Sequence, residues 1–213
     1  MENRFLKGLW GYLKRADIIL WMLLAAISVY SLLLLRSVDT ATGTSYFRTQ
    51  LMATAIGLAG AVVVSMMDYA EIANYWVLIS GACIIMMIYT ALFGDQVLGS
   101  GGVDARAWIR IAGRTFQTSE LVKIAFMVTF AKHLDILKKQ GRLEEPIQVI
   151  LLACHAFIAV GLCMFQGDTG AGVVFFFMFL SMSLGAGVQL RYFAILFVLI
   201  LIAFPILWEY VMP

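Results

Sequence analysis

The sequence predicts an all-α fold, a polytopic transmembrane helix bundle of about seven spans with the N-terminus inside and the C-terminus outside. Three observations carry this. The 213 residues are 62% hydrophobic and only 13% charged, whereas soluble domains run nearer half apolar and a quarter charged. Folded in water, a chain of this size could not hide so much apolar surface. Apolar runs of roughly the 20 residues needed to cross a bilayer recur along it. Finally, Arg4, Lys7, Lys14 and Arg15 stand directly before the first run, which places the N-terminus on the cytoplasmic side.

Residues 1–17 read as a cytoplasmic tail. They are polar and basic, the apolar run that follows is too long for a signal core, and no small-residue cleavage site follows it, so the run is expected to be retained as the first span. Ile18–Leu35 forms that span, Leu51–Met67 the second and Ala73–Phe93 the third. The fourth is expected between Ser119 and Leu134 and carries Lys123 and Lys132. A short segment with ionisable groups is either interfacial or packed inside the bundle, and packing inside is the expectation. Ile147–Phe165, Thr169–Leu190 and Tyr192–Trp208 complete the set. With seven crossings, Lys132, Lys138, Lys139, Arg142 and Arg191 join the N-terminal cluster inside and outnumber the outer Arg36, Arg48, Arg106, Arg110 and Arg114, as the positive-inside rule requires.

Smaller features agree. Trp10, Trp21, Trp76, Trp108 and Trp208 fall near span ends, which suits an aromatic belt. Pro205 is expected to kink the last span. Gly, Ala and Ser positions in spans two and six allow close helix approach. Cys83, Cys154 and Cys163 lie in apolar runs without metal-ligand spacing and read as small buried hydrophobes; no metal site is expected. The formal charge of +2 is small and its basic residues are scattered, which excludes a nucleic-acid-binding surface. No internal repeat supports an inverted-repeat transporter.

Three segments carry chemistry. The longest loop, residues 94–118, is placed on the outer side and contains Arg106, Trp108, Arg110 and Arg114. Arg106 and Arg110 are four apart and are expected to share a helical face. The arginines either grip a phosphate or diphosphate or snorkel to lipid headgroups. The second segment, Gln117-Thr118-Ser119-Glu120, leads to Lys123. Thr118 or Ser119 is a candidate cap for the fourth span, and Glu120 and Lys123, three apart, face the same way. They are either a site or a structural ion pair. The third is the turn Gln166-Gly167-Asp168-Thr169-Gly170, where Asp168 either caps the next helix or faces a ligand. All three fall on one predicted side of the membrane and so argue for an outward-facing polar site.

Ala105-Arg106-Ala107-Trp108-Ile109, then Gln117-Thr118-Ser119-Glu120-Leu121-Val122-Lys123, then Gln166-Gly167-Asp168-Thr169-Gly170 resemble motifs of the SEDS family (the RodA/FtsW/SpoVE cell cycle and cell shape proteins). The resemblance covers the whole chain and about the first half of a typical member, so residues 1–213 are expected to be the N-terminal part of a single SEDS-type membrane domain. It implies a peptidoglycan glycosyltransferase that polymerises lipid II, the undecaprenyl-diphosphate-linked precursor, at the outer face of the bacterial cytoplasmic membrane, beside a class B penicillin-binding protein transpeptidase and amid membrane lipid. By motif, Glu120, Lys123, Asp168, Arg106 and Trp108 match functional elements of the family, while Arg110, Arg114, Gln117 and Ser119 are cavity candidates beside them. A divalent cation is compatible with the full-length enzyme.

Two departures stand out. Thr118 and Gly167 occupy positions where the family usually has proline, which is expected to loosen the turns without deleting a charged group. The family's candidate catalytic aspartate is expected beyond Pro213, so no catalytic residue is assigned here and this chain alone is expected to be inactive. A lipid-linked-precursor flippase and a non-catalytic membrane scaffold of the division or elongation machinery are the alternatives. The first needs polar groups continuous through the bilayer. The second needs a site that tolerates loss of Glu120 or Asp168.

Overall fold

The computed structural model describes residues 17–67, 69–98, 104–111 and 114–211. The basic N-terminal segment and Trp10 lie outside the described residues. Two compact units result, residues 1–68 and 69–213.

In the first unit, α1 (Ile18–Thr42) and α2 (Tyr46–Met66) form a hairpin. Asp17 starts α1 by accepting the Ile19 and Leu20 amides at 3.0 and 3.1 Å, which satisfies two of the amides a helix N-terminus leaves open. Gly43 stops it at φ 70°, a conformation that favours a residue without Cβ. Ser45 precedes α2 but does not cap it. Asp39, one turn before the end of α1, reaches across instead. Its Oδ1 accepts the Tyr46 amide at 2.9 Å and its Oδ2 the Phe47 amide at 2.8 Å. Along both helices large side chains such as Leu23, Ile27, Ile56 and Val63 stand exposed, as expected where lipid rather than water is the solvent.

The second unit begins with the single turn α3 (Tyr69–Ala73) and α4 (Trp76–Phe93). Next come three strands, β1 (Asp95–Leu98), β2 (Asp104–Ile111) and β3 (Arg114–Gln117), then α5 (Thr118–Lys139), α6 (Pro146–Phe165), α7 (Thr169–Ala186) and α8 (Leu190–Val211). The helices α1, α2, α4, α6 and α7 are long and apolar enough to cross a membrane, and α8 is apolar over Leu190–Ile202, with Pro205 inside it.

One segment departs from an all-helical chain. The loop of residues 94–118 is largely a three-stranded antiparallel sheet in the order β1-β2-β3. Alternation explains how it sits. Ala105 and Ala107 are buried while Arg106 and Arg110 are exposed, since successive strand residues point to opposite faces. Small alanines let the sheet lie close over the bundle. Arg106, Trp108 and Arg110 therefore share a strand face rather than a helical one.

Helix α5 is charged, yet it is packed inside. Val122, Phe126, Phe130, Leu134 and Leu137 are all buried, and their three-to-four-residue spacing makes one continuous face. That face meets Phe175 and Phe179 of α7, with Phe126 edge-on to Phe175 at 5.3 Å and Phe130 edge-on to Phe179 at 5.9 Å, the offset geometry aromatic rings prefer. At the other end of α5, Arg142 binds Glu145 through its Nε at 3.0 Å. That hydrogen bond holds the Glu145 carboxyl below its ordinary value. Cys83, Cys154 and Cys163 are free thiols, of which only Cys163 is fully buried; Cys83 is half-buried and Cys154 exposed.

Gly94 makes the junction from α4 to the sheet. Its amide donates to Thr90 O at 2.7 Å, and a Cβ there would strike that same carbonyl oxygen. Gly94→Ala is expected to cost about 1–2 kcal/mol as backbone must move to admit the methyl group, read as an earlier unfolding midpoint in detergent.

Candidate functional site

The sheet, the start of α5 and the α6–α7 turn meet at one end of the second unit. The β2 backbone docks on the turn through the Arg106 amide, which donates to Gln166 O at 2.8 Å. Gln166 is almost fully buried and its Nε2 donates to Met87 O of α4 at 2.7 Å. Gln166 thus anchors the turn to a third element.

Asp168 is the centre. Its Oδ1 accepts the Ala171 amide at 3.2 Å and caps α7. Its Oδ2 accepts from Gln117 Nε2 at 2.7 Å and from Ser119 Oγ at 2.8 Å. Asp168 is thus the helix cap, and its second oxygen is taken by protein donors. Ser119 does not cap α5: its hydroxyl is turned across to Asp168, and the N-cap residue Gln117 makes no side-chain cap bond. Thr118 does not cap it either; it is fully buried and its Oγ1 has no partner.

Gly167 does not loosen the turn. At φ 76° it closes α6 in a paired-bond terminus, with the Gly167 amide on Met164 O at 3.0 Å and the Asp168 amide on Cys163 O at 2.9 Å. This is the arrangement in which a left-handed residue after the helix satisfies two orphan carbonyls.

Beside this cradle, Lys123 Nζ donates to Glu120 Oε1 at 2.7 Å, with the lysine mostly buried and the glutamate exposed. The pair leaves a carboxylate presented outward and held in place by a sheltered ammonium. The arginine segment is carried on strands rather than on the helical face expected. Arg110 Nε sits 3.3 Å from Asp95 Oδ2, pairing β2 with β1. Arg106 is exposed on the same face, half-buried Trp108 lies between them, and the Arg114 side chain lies outside the described residues. No group of three or more His, Cys, Asp or Glu comes together among the described residues, so they offer no donor set for a divalent cation and none is assigned a role.

Sequence reasoning missed a second polar cluster. His133 and His155 face each other with Nδ1 atoms 3.3 Å apart, and His155 Nε2 is 3.4 Å from Thr129 Oγ1. Thr129 Oγ1 also lies 3.3 Å from Phe126 O. A carbonyl only accepts, so Thr129 donates to it and accepts from His155 Nε2. With neutral rings, His155 Nδ1 is then the acceptor and His133 the donor. Trp76 stacks on both rings at 5.1 and 6.0 Å. Standing at the start of α4, it packs between helices. Nothing in a single sequence pairs two histidines 22 positions apart on different helices.

A helical membrane bundle whose polar end is roofed by a small sheet and organised on one carboxylate defines a class: a polytopic membrane protein with a polar cluster at one end of its helices. The particular family follows from comparison. The sequence matches the cell cycle protein family FtsW/RodA/SpoVE over residues 13–212, and the chain belongs to that family. It is 26% identical over 193 residues to a probable peptidoglycan glycosyltransferase FtsW of Geobacter metallireducens, covering 84% of this chain and 49% of that protein. It is 30% identical over 164 residues to the peptidoglycan glycosyltransferase RodA of Treponema pallidum, covering 75% and 36%. The fold superimposes on the crystal structure of Thermus thermophilus rod shape determining protein RodA with a TM-score of 0.70 at 24% identity, over 88% of this chain and 60% of that one. It also superimposes on a chain of a peptidoglycan synthase complex with a TM-score of 0.76 at 23% identity, over 93% and 56%. The chain spans about half the length of the curated relatives it matches. It is a multi-pass protein of the bacterial cytoplasmic membrane.

Proposed function

We propose that the whole protein to which these residues belong is a peptidoglycan glycosyltransferase that polymerises the undecaprenyl-diphosphate-linked precursor at the outer face of the cytoplasmic membrane, together with a penicillin-binding-protein transpeptidase. The observation that carries this is the convergence of Gln117, Ser119 and Asp168 at one end of the bundle, next to the outward-presented Glu120. These are the motif positions that match the family. Seven crossings would put this end outside.

In the reaction, an acceptor sugar hydroxyl attacks the donor's anomeric carbon, the carbon–oxygen bond to the lipid diphosphate breaks, and the hydroxyl proton passes to a base. By resemblance that base is an aspartate of a later outer loop. The residues here hold the floor of the site. Asp168 fixes Gln117 and Ser119, which set the first turn of α5, and that turn aims Glu120 and Lys123. Lys123, paired with Glu120, and Arg106 on the sheet are the cations nearest this end of α5, the charge type a departing diphosphate calls for.

A flippase needs a polar path along the bundle. Lys123 and the Thr129–His155–His133 cluster both lie on or against α5, but about 9 Å of helix separates residues 123 and 129, and buried Phe126 fills that interval. This break favours the enzyme.

The test is polymerisation of the lipid-linked precursor by the full-length protein. Glu120→Gln is expected to lower the rate about 100-fold through loss of positioning, at unchanged membrane level. Unchanged polymer yield would remove Glu120 from the site and favour the scaffold reading.

A further inference from the structure

The turn between α1 and α2 holds a feature the proposed reaction does not use. Arg36, Asp39, Thr40, Thr44, Ser45 and Arg48 line an open concavity of about 360 Å³. Neither arginine has a carboxylate partner among the described residues. The one acid in the concavity is engaged by its own turn. Asp39 accepts from Thr44 Oγ1 at 2.6 Å as well as from the Tyr46 and Phe47 amides. The Thr40 hydroxyl donates to Arg36 O at 2.8 Å. Two guanidinium groups therefore outweigh one occupied carboxylate, and the concavity carries a net positive charge. The Thr40 and Thr44 hydroxyl protons are committed within the turn, which leaves the two guanidinium forks and the Ser45 hydroxyl to donate to the tetrahedral oxygens of a phosphate group. Arg36 lies on the last turns of an apolar helix and Arg48 on the first turn of the next, the depth at which a bilayer places its phosphates.

We propose that the α1–α2 turn is a binding site for the phosphate of a lipid headgroup, held between Arg36 and Arg48. The proposal goes beyond the glycosyltransferase reading and does not depend on it. The same chemistry is presented by a phosphatidylglycerol and by an isoprenoid diphosphate, so the experiment carries an arm for each.

The protein is placed in nanodiscs of phosphatidylcholine doped with either phosphatidylglycerol or undecaprenyl diphosphate, and retained lipid is counted by native mass spectrometry. Retention of a doped anionic lipid above its bulk fraction is expected. A charge near the membrane surface contributes about 1 kcal/mol, so Arg36→Gln or Arg48→Gln should lower retention about 5-fold and the pair about 30-fold. Arg191→Gln, at the start of α8, should leave it unchanged. Retention of phosphatidylglycerol alone assigns the site to bulk lipid, and retention of the diphosphate alone to a carrier lipid. The thermal midpoint of each variant is measured in parallel to separate loss of binding from loss of fold. Equal retention by wild type and the folded double variant in both arms would overturn the proposal, as would an equal fall with Arg191→Gln.

Discussion

Asp168→Ala is expected to destabilise the second unit by about 3 kcal/mol. The figure has three sources. The N-cap of α7 is lost, about 1 kcal/mol. Gln117 Nε2 and Ser119 Oγ lose their shared acceptor, and a stranded buried donor costs about 1 kcal/mol or more apiece. Ser119 is fully buried, so water cannot replace the carboxylate without opening the packing. Titration with a denaturing detergent should show the unfolding midpoint shifted early. Asp168→Asn separates architecture from chemistry. Asparagine caps as well as aspartate, but its one carbonyl oxygen cannot fill both Oδ places: with the cap kept, its amide faces Gln117 and Ser119, and only the Ser119 hydroxyl can turn to accept from it. The asparagine variant should therefore recover about half of the lost stability. In the full-length protein, polymerisation restored along with stability would make Asp168 a positioning residue only. Polymerisation still absent from a stable asparagine variant would mean that its charge is felt at the reacting groups. An alanine variant as stable as wild type would refute the account of the cradle.

The second large effect is an asymmetry between two prolines. Thr118 and Gly167 both stand where the family's motifs usually carry proline, yet their backbones differ. Gln117 before Thr118 is extended at φ −87°, ψ 118°, the conformation proline demands of its predecessor. Thr118 is the first residue of α5, where proline is favoured because that amide has no helical partner. The change also removes a buried hydroxyl without a partner. Thr118→Pro is expected to stabilise the bundle by about 0.5–1 kcal/mol. Gly167 is the opposite case. Its φ of 76° is closed to proline, whose ring holds φ near −65°, and its amide is committed to Met164 O. Gly167→Pro is expected to cost about 4 kcal/mol, from the blocked conformation and the carbonyl left open. Because Asp168 is the next residue, the change should also displace the cradle. Paired thermal melts of the two variants check this: opposite signs are expected, and a harmless Gly167→Pro would contradict the turn geometry.

Five of the expected spans were legible because lipid imposes a composition no soluble fold needs. Ile18, Phe93, Phe165 and Thr169 each mark a helix boundary within a residue of where hydropathy puts it. The inner packing of α5 was legible as well, since Val122, Phe126, Phe130, Leu134 and Leu137 repeat at helical spacing despite the lysines. The sheet was hidden by expectation rather than by chemistry. Ala105-Arg106-Ala107-Trp108-Ile109-Arg110-Ile111 alternates with period two, the pattern of a strand with one covered face, but a loop joining two helical spans invites a helical reading. The polar end was legible in its members and not in its wiring. Asp168 was visible as a cap, but its bonds to Gln117 and Ser119 join positions 51 and 49 residues apart, and separations of that size leave no local trace. Gln166 has no role legible in its motif, because its partner is a backbone carbonyl on α4.

The reach of Asp39 across the first hairpin bears on how the chain enters the bilayer. The carboxylate ends one helix and starts the next using only residues within eight positions of itself. The corner can therefore close as soon as Phe47 has left the ribosome, before any later segment exists. The first two helices would then partition as a preassembled pair whose connecting amides are already shielded from hydrocarbon. Insertion of this pair should not wait for the remainder of the chain.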